Sequence, residues 1–138
     1  MDSESVVYGY IKDLRGSRTV VDRSQINRTA TLDLPEVDEY SHLNREMFSK
    51  PVTRHEGQSM DTYVIPFGAC YNGVEYEWNS WIKTFEGLLR KMYWTSAVVH
   101  LETELSGKHS FVWELPYGEH SPGEEIQSAQ LEWVHDPL

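Results

Sequence analysis

The segment Val74–Tyr93 reads VEYEWNSWIKTFEGLLRKMY, and its pattern decides the fold class. Apolar side chains recur every three or four residues, and charged side chains occupy the positions between them, which is typical of an amphipathic helix. The apolar positions are Val74, Trp78, Trp81, Ile82, Phe85, Leu88, Leu89 and Met92, and the charged positions include Glu75, Glu77, Lys83, Glu86 and Arg90. This segment therefore predicts a helix of about five turns, with its apolar side buried against a sheet.

A β-hairpin is predicted directly after this helix. Two strand-like stretches, Thr95 to Leu105 and His109 to Leu115, flank a three-residue turn that contains Gly107. Pairing about this turn sets Leu101 opposite Trp113 and Thr103 opposite Phe111. Because side chains alternate across a sheet, the core-facing set is Val99, Leu101, Phe111, Trp113 and Leu115, and the outward set is His100, Glu102, Glu104, Val112 and Glu114. The outer side of the hairpin is therefore predicted to be acidic.

Weaker signals precede the long helix. Val6–Ile11 and Tyr63–Tyr71 are rich in β-branched and aromatic residues and read as strands, and Pro66 places the second one at a sheet edge or a bulge. Ile26, Ala30 and Leu34 recur at helical spacing within residues 19–34, which predicts a shorter helix. Residues 36–60 read as an irregular connection with one helical turn at residues 43–48.

These elements together predict an α+β domain. We expect a mainly antiparallel sheet of about four strands, with the long amphipathic helix and the shorter helix packed on one face. Residues 1–116 are predicted to form this single domain. Residues 117–138 are rich in Gly, Pro, Ser and Glu, so they are predicted to be an acidic C-terminal appendage, in which only residues 129–134 have the pattern of a strand.

Composition excludes several classes of function. The chain has 138 residues, of which 39% are hydrophobic and 12% aromatic, so it is too apolar for a disordered protein. Its 22 acidic and 12 basic residues give a formal net charge of -10, which repels phosphate backbones and anionic lipids. We therefore expect neither a nucleic-acid partner nor a membrane partner.

The sequence also bears on compartment and redox chemistry. Its start lacks a basic and then apolar signal peptide, and no stretch has the roughly 18 apolar residues of a membrane span, so we expect a cytoplasmic protein. Cys70 is the only cysteine, which excludes an internal disulfide. Its apolar surroundings in sequence predict a buried, inert thiol.

Catalytic motifs are absent from the sequence. It contains no HExxH, GxSxG, GxGxxG or P-loop pattern, so we expect no catalytic residues, cofactor or resident metal. The outward hairpin residues His100, Glu102 and Glu104, with Glu114 opposite His100, could still hold a divalent cation. A solvated polar face is the more common reason for such a pattern, and a protein-binding face is the third interpretation.

Parts of the chain resemble a known group of proteins. YGYI at Tyr8–Ile11, LNREMFSKP at Leu43–Pro51 and the run Phe67–Leu105 resemble small acidic bacterial immunity proteins of toxin–immunity systems, including polymorphic and contact-dependent toxins. The likeness covers much of residues 6–115, and the tail from residue 116 onward lies outside it. It implies a cytosolic, non-enzymatic protein that neutralises a cognate toxin by covering its active site or a nearby exosite.

The charge of the chain predicts a protein partner with a basic surface. Acidic side chains would speed its capture electrostatically, and an exposed tryptophan would serve as an apolar anchor. The residues predicted to contact this partner are His100, Glu102, Glu104, Glu114, Glu119, Glu124, Glu125 and Trp133. Two other functions stay open from the sequence: a metal-dependent hydrolase that uses the acidic sheet face, and a phage or regulatory protein that binds a host factor.

Overall fold

The computed structural model of the chain describes residues 4–15, 20–36, 42–53, 61–115 and 119–126. The strands and helices in chain order are β1 (Glu4–Arg15), α1 (Val20–Leu32), β2 (Val52–Thr53), β3 (Asp61–Asn72), α2 (Trp78–Leu89), β4 (Ser96–Thr103) and β5 (Gly107–Glu114). The sheet order is β2-β3-β1-β4-β5, and all neighbours are antiparallel. Four long strands, a two-residue edge strand and two helices confirm the predicted α+β class.

Strand β1 lies at the centre of the sheet and pairs with both β3 and β4. A Cβ atom built on Gly9 would lie 1.9 Å from the carbonyl oxygen of Val98 in β4. Any larger residue would therefore push the two strands apart, so this position requires glycine. The sequence predicted that Pro66 places β3 at a sheet edge or a bulge. In the described part of the chain, only the two-residue strand β2 lies between β3 and the edge of the sheet.

Helix α2 and its preceding 3-10 turn, Val74–Glu77, bury the predicted apolar stripe. Phe85 is 0% exposed, and its ring packs against Phe67, Trp81 and Trp113 at centroid distances of 5.2 to 5.4 Å. The helix ends at Leu89 instead of the predicted Tyr93. After it, backbone N–H groups donate to carbonyls three residues earlier, and this tighter turn leads the chain toward β4.

Helix α1 packs on the same side of the sheet but buries polar residues. The helix predicted from the spacing of Ile26, Ala30 and Leu34 is present. Arg23, Asn27 and Ala30 are buried and Leu34 packs against the core, whereas Ile26 is 39% exposed and does not belong to the buried side. The side chain of Asn27 accepts from the backbone N–H of Tyr93 at 2.8 Å and donates to its carbonyl at 2.9 Å. Hydrogen bonds, more than apolar burial, therefore fix this helix.

A buried ion pair joins α1 to the central strand. Arg23 Nε donates to Asp13 Oδ2 at 3.1 Å, and Arg23 Nη2 donates to Asp13 Oδ1. Arg23 Nη1 also lies 2.5 Å from Glu119 Oε2, and its guanidinium stands 4.7 Å above the centre of the Tyr93 ring. Burial and then the negative charge of Asp13 raise the pKa of the neighbouring Tyr63 hydroxyl.

The register of the β4–β5 hairpin differs from the prediction. The turn comprises residues 104–106, and Gly107 begins β5 at a φ of 77°, a conformation that favours glycine. Leu101 is opposite His109, four residues earlier than the predicted Trp113, and Thr103 is opposite Gly107 instead of Phe111. The Thr103 hydroxyl accepts from the Ser106 N–H at 2.9 Å, which stabilises the earlier turn.

Residues 119–126, which belong to the predicted C-terminal appendage, pack against the domain. His120 is 0% exposed and stacks on Trp94 with a centroid distance of 5.0 Å. Its two ring nitrogens lie 2.8 Å from the Met92 carbonyl oxygen and 2.9 Å from that of Glu124. The predicted strand at residues 129–134 and the predicted boundary at residue 116 lie outside the described residues.

The irregular connection contains the short helical turn that the sequence predicts. A 3-10 turn covers Arg45–Met47, and the side chain of Asn44 caps it by accepting from the Met47 N–H at 3.0 Å. Met47 is buried, so this turn adds an apolar side chain to the core beside β3.

Candidate partner-binding surface

The sheet surface turned away from both helices is the first candidate site, and we refer to it as the outer face. Antiparallel pairing aligns its side chains in rows that cross the four long strands. From one end to the other, the rows are Val64, Lys12, Ser96 and Glu114; then Pro66, Tyr10, Val98 and Val112; then Gly68, Tyr8, His100 and Ser110; then Cys70, Val6, Glu102 and Lys108.

The two middle rows form an apolar and aromatic strip. The row that contains Tyr10 has no charged residue, and all four of its side chains are partly exposed. In the next row, the rings of Tyr8 and His100 lie 5.1 Å apart at 41°. Protein interfaces combine an aromatic and apolar centre with a polar rim, and the outer face has this composition.

Charges of both signs border this strip. Glu102 is opposite Lys108, and both side chains lie close enough to the Tyr8 hydroxyl to influence its pKa. Burial and the hydrogen bond to Glu102 raise the pKa of Tyr8. Lys12 lies in the same row as Glu114, at the other end of the face. The predicted acidic face is therefore corrected to a mixed one, because Lys12 and Lys108 offset its carboxylates.

His100 lies at the centre of this network. Its Nδ1 lies 2.7 Å from the hydroxyl oxygen of Ser110, directly across the strand pair. Partial burial lowers the pKa of His100, and the positive charge of Lys108 lowers it further, whereas the charge of Glu102 opposes this shift. At neutral pH the imidazole is therefore uncharged and offers one donor and one acceptor.

We expect the His100 ring to titrate below 6.5, its ordinary value, when followed by NMR of the imidazole carbon-bound protons. Lys108→Met should raise this midpoint, and Glu102→Gln should lower it. Because the unfolded chain binds this proton more readily, the contribution of His100 to stability is lost as the pH falls below 6.5. Glu114→Gln is the matched control, and an equal shift in that variant would contradict the assigned neighbours.

The structure separates the residues that were predicted to act together. His100 and Glu102 lie in adjacent rows, but Glu114 is opposite Ser96 instead of His100, and Glu104 lies in the hairpin turn. Within the described ranges, no group of three or more His, Cys, Asp or Glu side chains could hold a metal ion. The metal-ligand set hypothesised from His100, Glu102, Glu104 and Glu114 is therefore not formed.

The remaining predicted contact residues lie away from the outer face. Glu119 pairs with Arg23 on the helix side of the sheet, and the backbone of Glu124 contacts His120. The side chains of Glu124 and Glu125 are exposed, whereas Trp133 lies outside the described residues. The predicted residues thus belong to at least two surfaces instead of one.

Two tyrosines on the outer face were missed by sequence reasoning. Tyr8 and Tyr10 belong to β1, and the alternation of this strand already separates them from Val7 and Ile11, which are buried. The same alternation explains why Cys70 is exposed, although we predicted a buried thiol from its apolar neighbours in sequence. The alternation of side chains along a strand would therefore have placed all three residues on the outer face from the sequence alone.

A second concave surface lies between the start of α2 and the hairpin turn, and we refer to it as the hairpin groove. It has a volume of about 490 Å³. Tyr76 on its wall is 76% exposed, and Leu105 in the adjacent turn is 80% exposed. Its lining comprises Glu75, Tyr76, Glu77, Trp78, Asn79, Ser80, Leu101, Ser106 and His109.

Comparisons of the chain with protein-family models, curated proteins and solved structures give no match. Each helix in the described part of the chain is too short or too polar to cross a membrane.

Proposed function

We propose that this chain is a protein-binding inhibitor, specifically an immunity protein that binds a cognate protein toxin and neutralises it. The observation that carries the proposal is the outer face, where an apolar and aromatic strip with a charged border crosses four paired strands. Tyrosine is favoured at the energetic centre of interfaces, since its ring contributes contact area and its hydroxyl contributes a hydrogen bond.

The sheet presents this strip in a fixed arrangement. Tyr8 and Tyr10 belong to the central strand, which is paired on both sides, so their backbone does not need to be ordered on binding. Binding to an ordered surface avoids the entropy cost of fixing a flexible loop. An ordered sheet surface of this kind suits a folded protein partner better than a small ligand, which needs a concave site.

The acidity of the chain supports a partner with a basic surface. The net charge is -10, and the predicted contact residues Glu104, Glu114, Glu119, Glu124 and Glu125 are all exposed. They are spread over several surfaces, so their summed field acts mainly at long range, where it speeds the approach of a cationic protein. Short-range affinity then comes from the apolar strip on the outer face.

The direct test is co-expression of this chain with a candidate toxin domain encoded by a neighbouring gene, in a host that the toxin kills. We expect the chain to restore growth and to form a complex with the purified toxin domain. Tyr8→Ala combined with Tyr10→Ala should weaken this complex at least about 30-fold, as measured by calorimetry, because hot-spot side chains carry most of the binding energy.

Ile26→Ala combined with Leu32→Ala is the matched control, since it removes two exposed apolar side chains from α1 instead of the outer face. Both double variants should still unfold cooperatively on heating, which would show that they are folded. If a toxin domain binds the tyrosine variant as tightly as it binds the unmodified chain, the outer face is excluded as the binding surface. A chain that neither restores growth nor binds would refute the proposed function.

A further inference from the structure

We propose that the hairpin groove is a binding site for an arginine side chain presented by a polypeptide. The proposal deepens the proposed function, because it names the kind of residue that a protein partner would insert, but it rests on a different surface. A volume of about 490 Å³ lies within the range of about 300 to 1,000 Å³ that is common for ligand sites.

Aromatic rings form the walls of the groove. The Trp78 ring stacks on Trp81 with a centroid distance of 4.9 Å and an angle of 7°, and it also packs against Phe111 at 5.2 Å. These contacts hold Trp78 in one orientation. Tyr76, two residues earlier, is 76% exposed and offers an accessible ring face. A planar guanidinium stacks well on such rings, which attract cations through their π electrons.

The charge of the lining favours a cation. Glu75 and Glu77 line the groove, and its described lining contains no lysine or arginine. Leu101, which is 4% exposed, forms an apolar floor that limits the access of water. A carboxylate beside an apolar wall attracts a cation more strongly than it would in open solvent. Arginine fits better than lysine, because its guanidinium can stack and donate several hydrogen bonds at once.

The proposed function supplies the reason for a polypeptide ligand, because a protein partner presents arginine side chains on its surface. The arginine guanidinium carries several N–H donors in one plane, and the lining of the groove contains the carboxylates of Glu75 and Glu77 beside the exposed ring of Tyr76. An arginine peptide therefore offers donors to the two carboxylates, and its guanidinium can stack on the tyrosine ring.

The test uses the peptide acetyl-Gly-Arg-Gly-amide and NMR of the ¹⁵N-labelled full chain. We expect saturable shifts of the Trp78 indole N–H signal and of the Tyr76 amide signal. The same peptide with citrulline has nearly the same shape but no charge, and it should bind at least about tenfold more weakly. Glu75→Gln combined with Glu77→Gln should weaken binding of the arginine peptide by a similar factor.

Glu124→Gln combined with Glu125→Gln is the charge-matched control, because it removes two exposed carboxylates elsewhere and should leave the affinity unchanged. Equal binding of both peptides, an equal loss in both double variants, or no saturable shift at Trp78 would each overturn the proposal. The test contains no toxin, so its failure would leave the proposed function standing. Conversely, an arginine peptide that binds as expected would support the hairpin groove as an arginine-binding site even if no toxin binds the outer face.

Discussion

Replacing Arg23 with methionine should lower the free energy of unfolding by about 3 to 5 kcal/mol, which is the cost of removing one partner from a buried ion pair. Asp13 is 0% exposed, and the guanidinium of Arg23 is its cationic partner in the structure. The variant would leave this carboxylate buried without that charge. Equilibrium unfolding in urea, followed by tryptophan fluorescence, measures the loss.

Two further variants show whether the buried pair causes the loss. Asp13→Leu combined with Arg23→Met should recover most of the stability, because replacing both members of a buried pair with apolar residues is often neutral. Glu119→Gln breaks only the outer contact of Arg23, where the carboxylate is partly exposed, so it should cost less than about 1 kcal/mol. If the double variant is as unstable as Arg23→Met alone, packing of the arginine, not charge, dominates.

Phe85→Ala should destabilise the domain by about 3 to 5 kcal/mol, the range for truncating a buried phenylalanine. The side chain is 0% exposed, and its ring contacts Phe67 on β3 and Trp113 on β5. These strands lie on opposite sides of β1, so the truncation removes a contact that joins both halves of the sheet to α2. Urea unfolding monitored by circular dichroism gives the free energy.

Leu105→Ala is the matched control for this variant, since it also shortens a large apolar side chain, but one that is 80% exposed. Its effect should stay within about 0.5 kcal/mol, as for most surface substitutions. A loss below about 1 kcal/mol for Phe85→Ala would mean that the apolar stripe of α2 does not organise the core.

The sequence predicted the elements that depend on strong hydrophobic patterns. The stripe that contains Trp81 and Phe85 identified α2, because apolar residues at three- and four-residue spacing lie on one side of a helix but on both sides of a strand. The hairpin faces were also predicted correctly for Val99 and Phe111, which are buried, although the register was wrong. A shift of four residues is even, so the side chains that remain in the two strands keep their predicted faces, whereas Glu104 lies in the turn.

The polar details could not be predicted in the same way. The hairpin register depends on one hydrogen bond from Ser106 to Thr103 and on the positive φ of Gly107, and neither leaves a periodic signal. The polar part of the buried side of α1 was missed, because Arg23 and Asn27 look like solvent-exposed residues until their partners on other elements are known. The charge of the candidate site could not be predicted for the same reason, since the pairing of Glu102 with Lys108 depends on that register.

The central position of β1 also bears on how the chain folds during synthesis. Residues 4–15 leave the ribosome before both of their neighbours in the sheet, which are residues 61–72 and 96–103. Contacts between residues so distant in sequence slow folding, because long loops must close before they form. Until β4 emerges, the tyrosine-containing strand has an unpaired edge, and such edges can join other chains. The nascent chain is therefore most prone to aggregation before residue 103 is released, and the second half of the molecule protects the first.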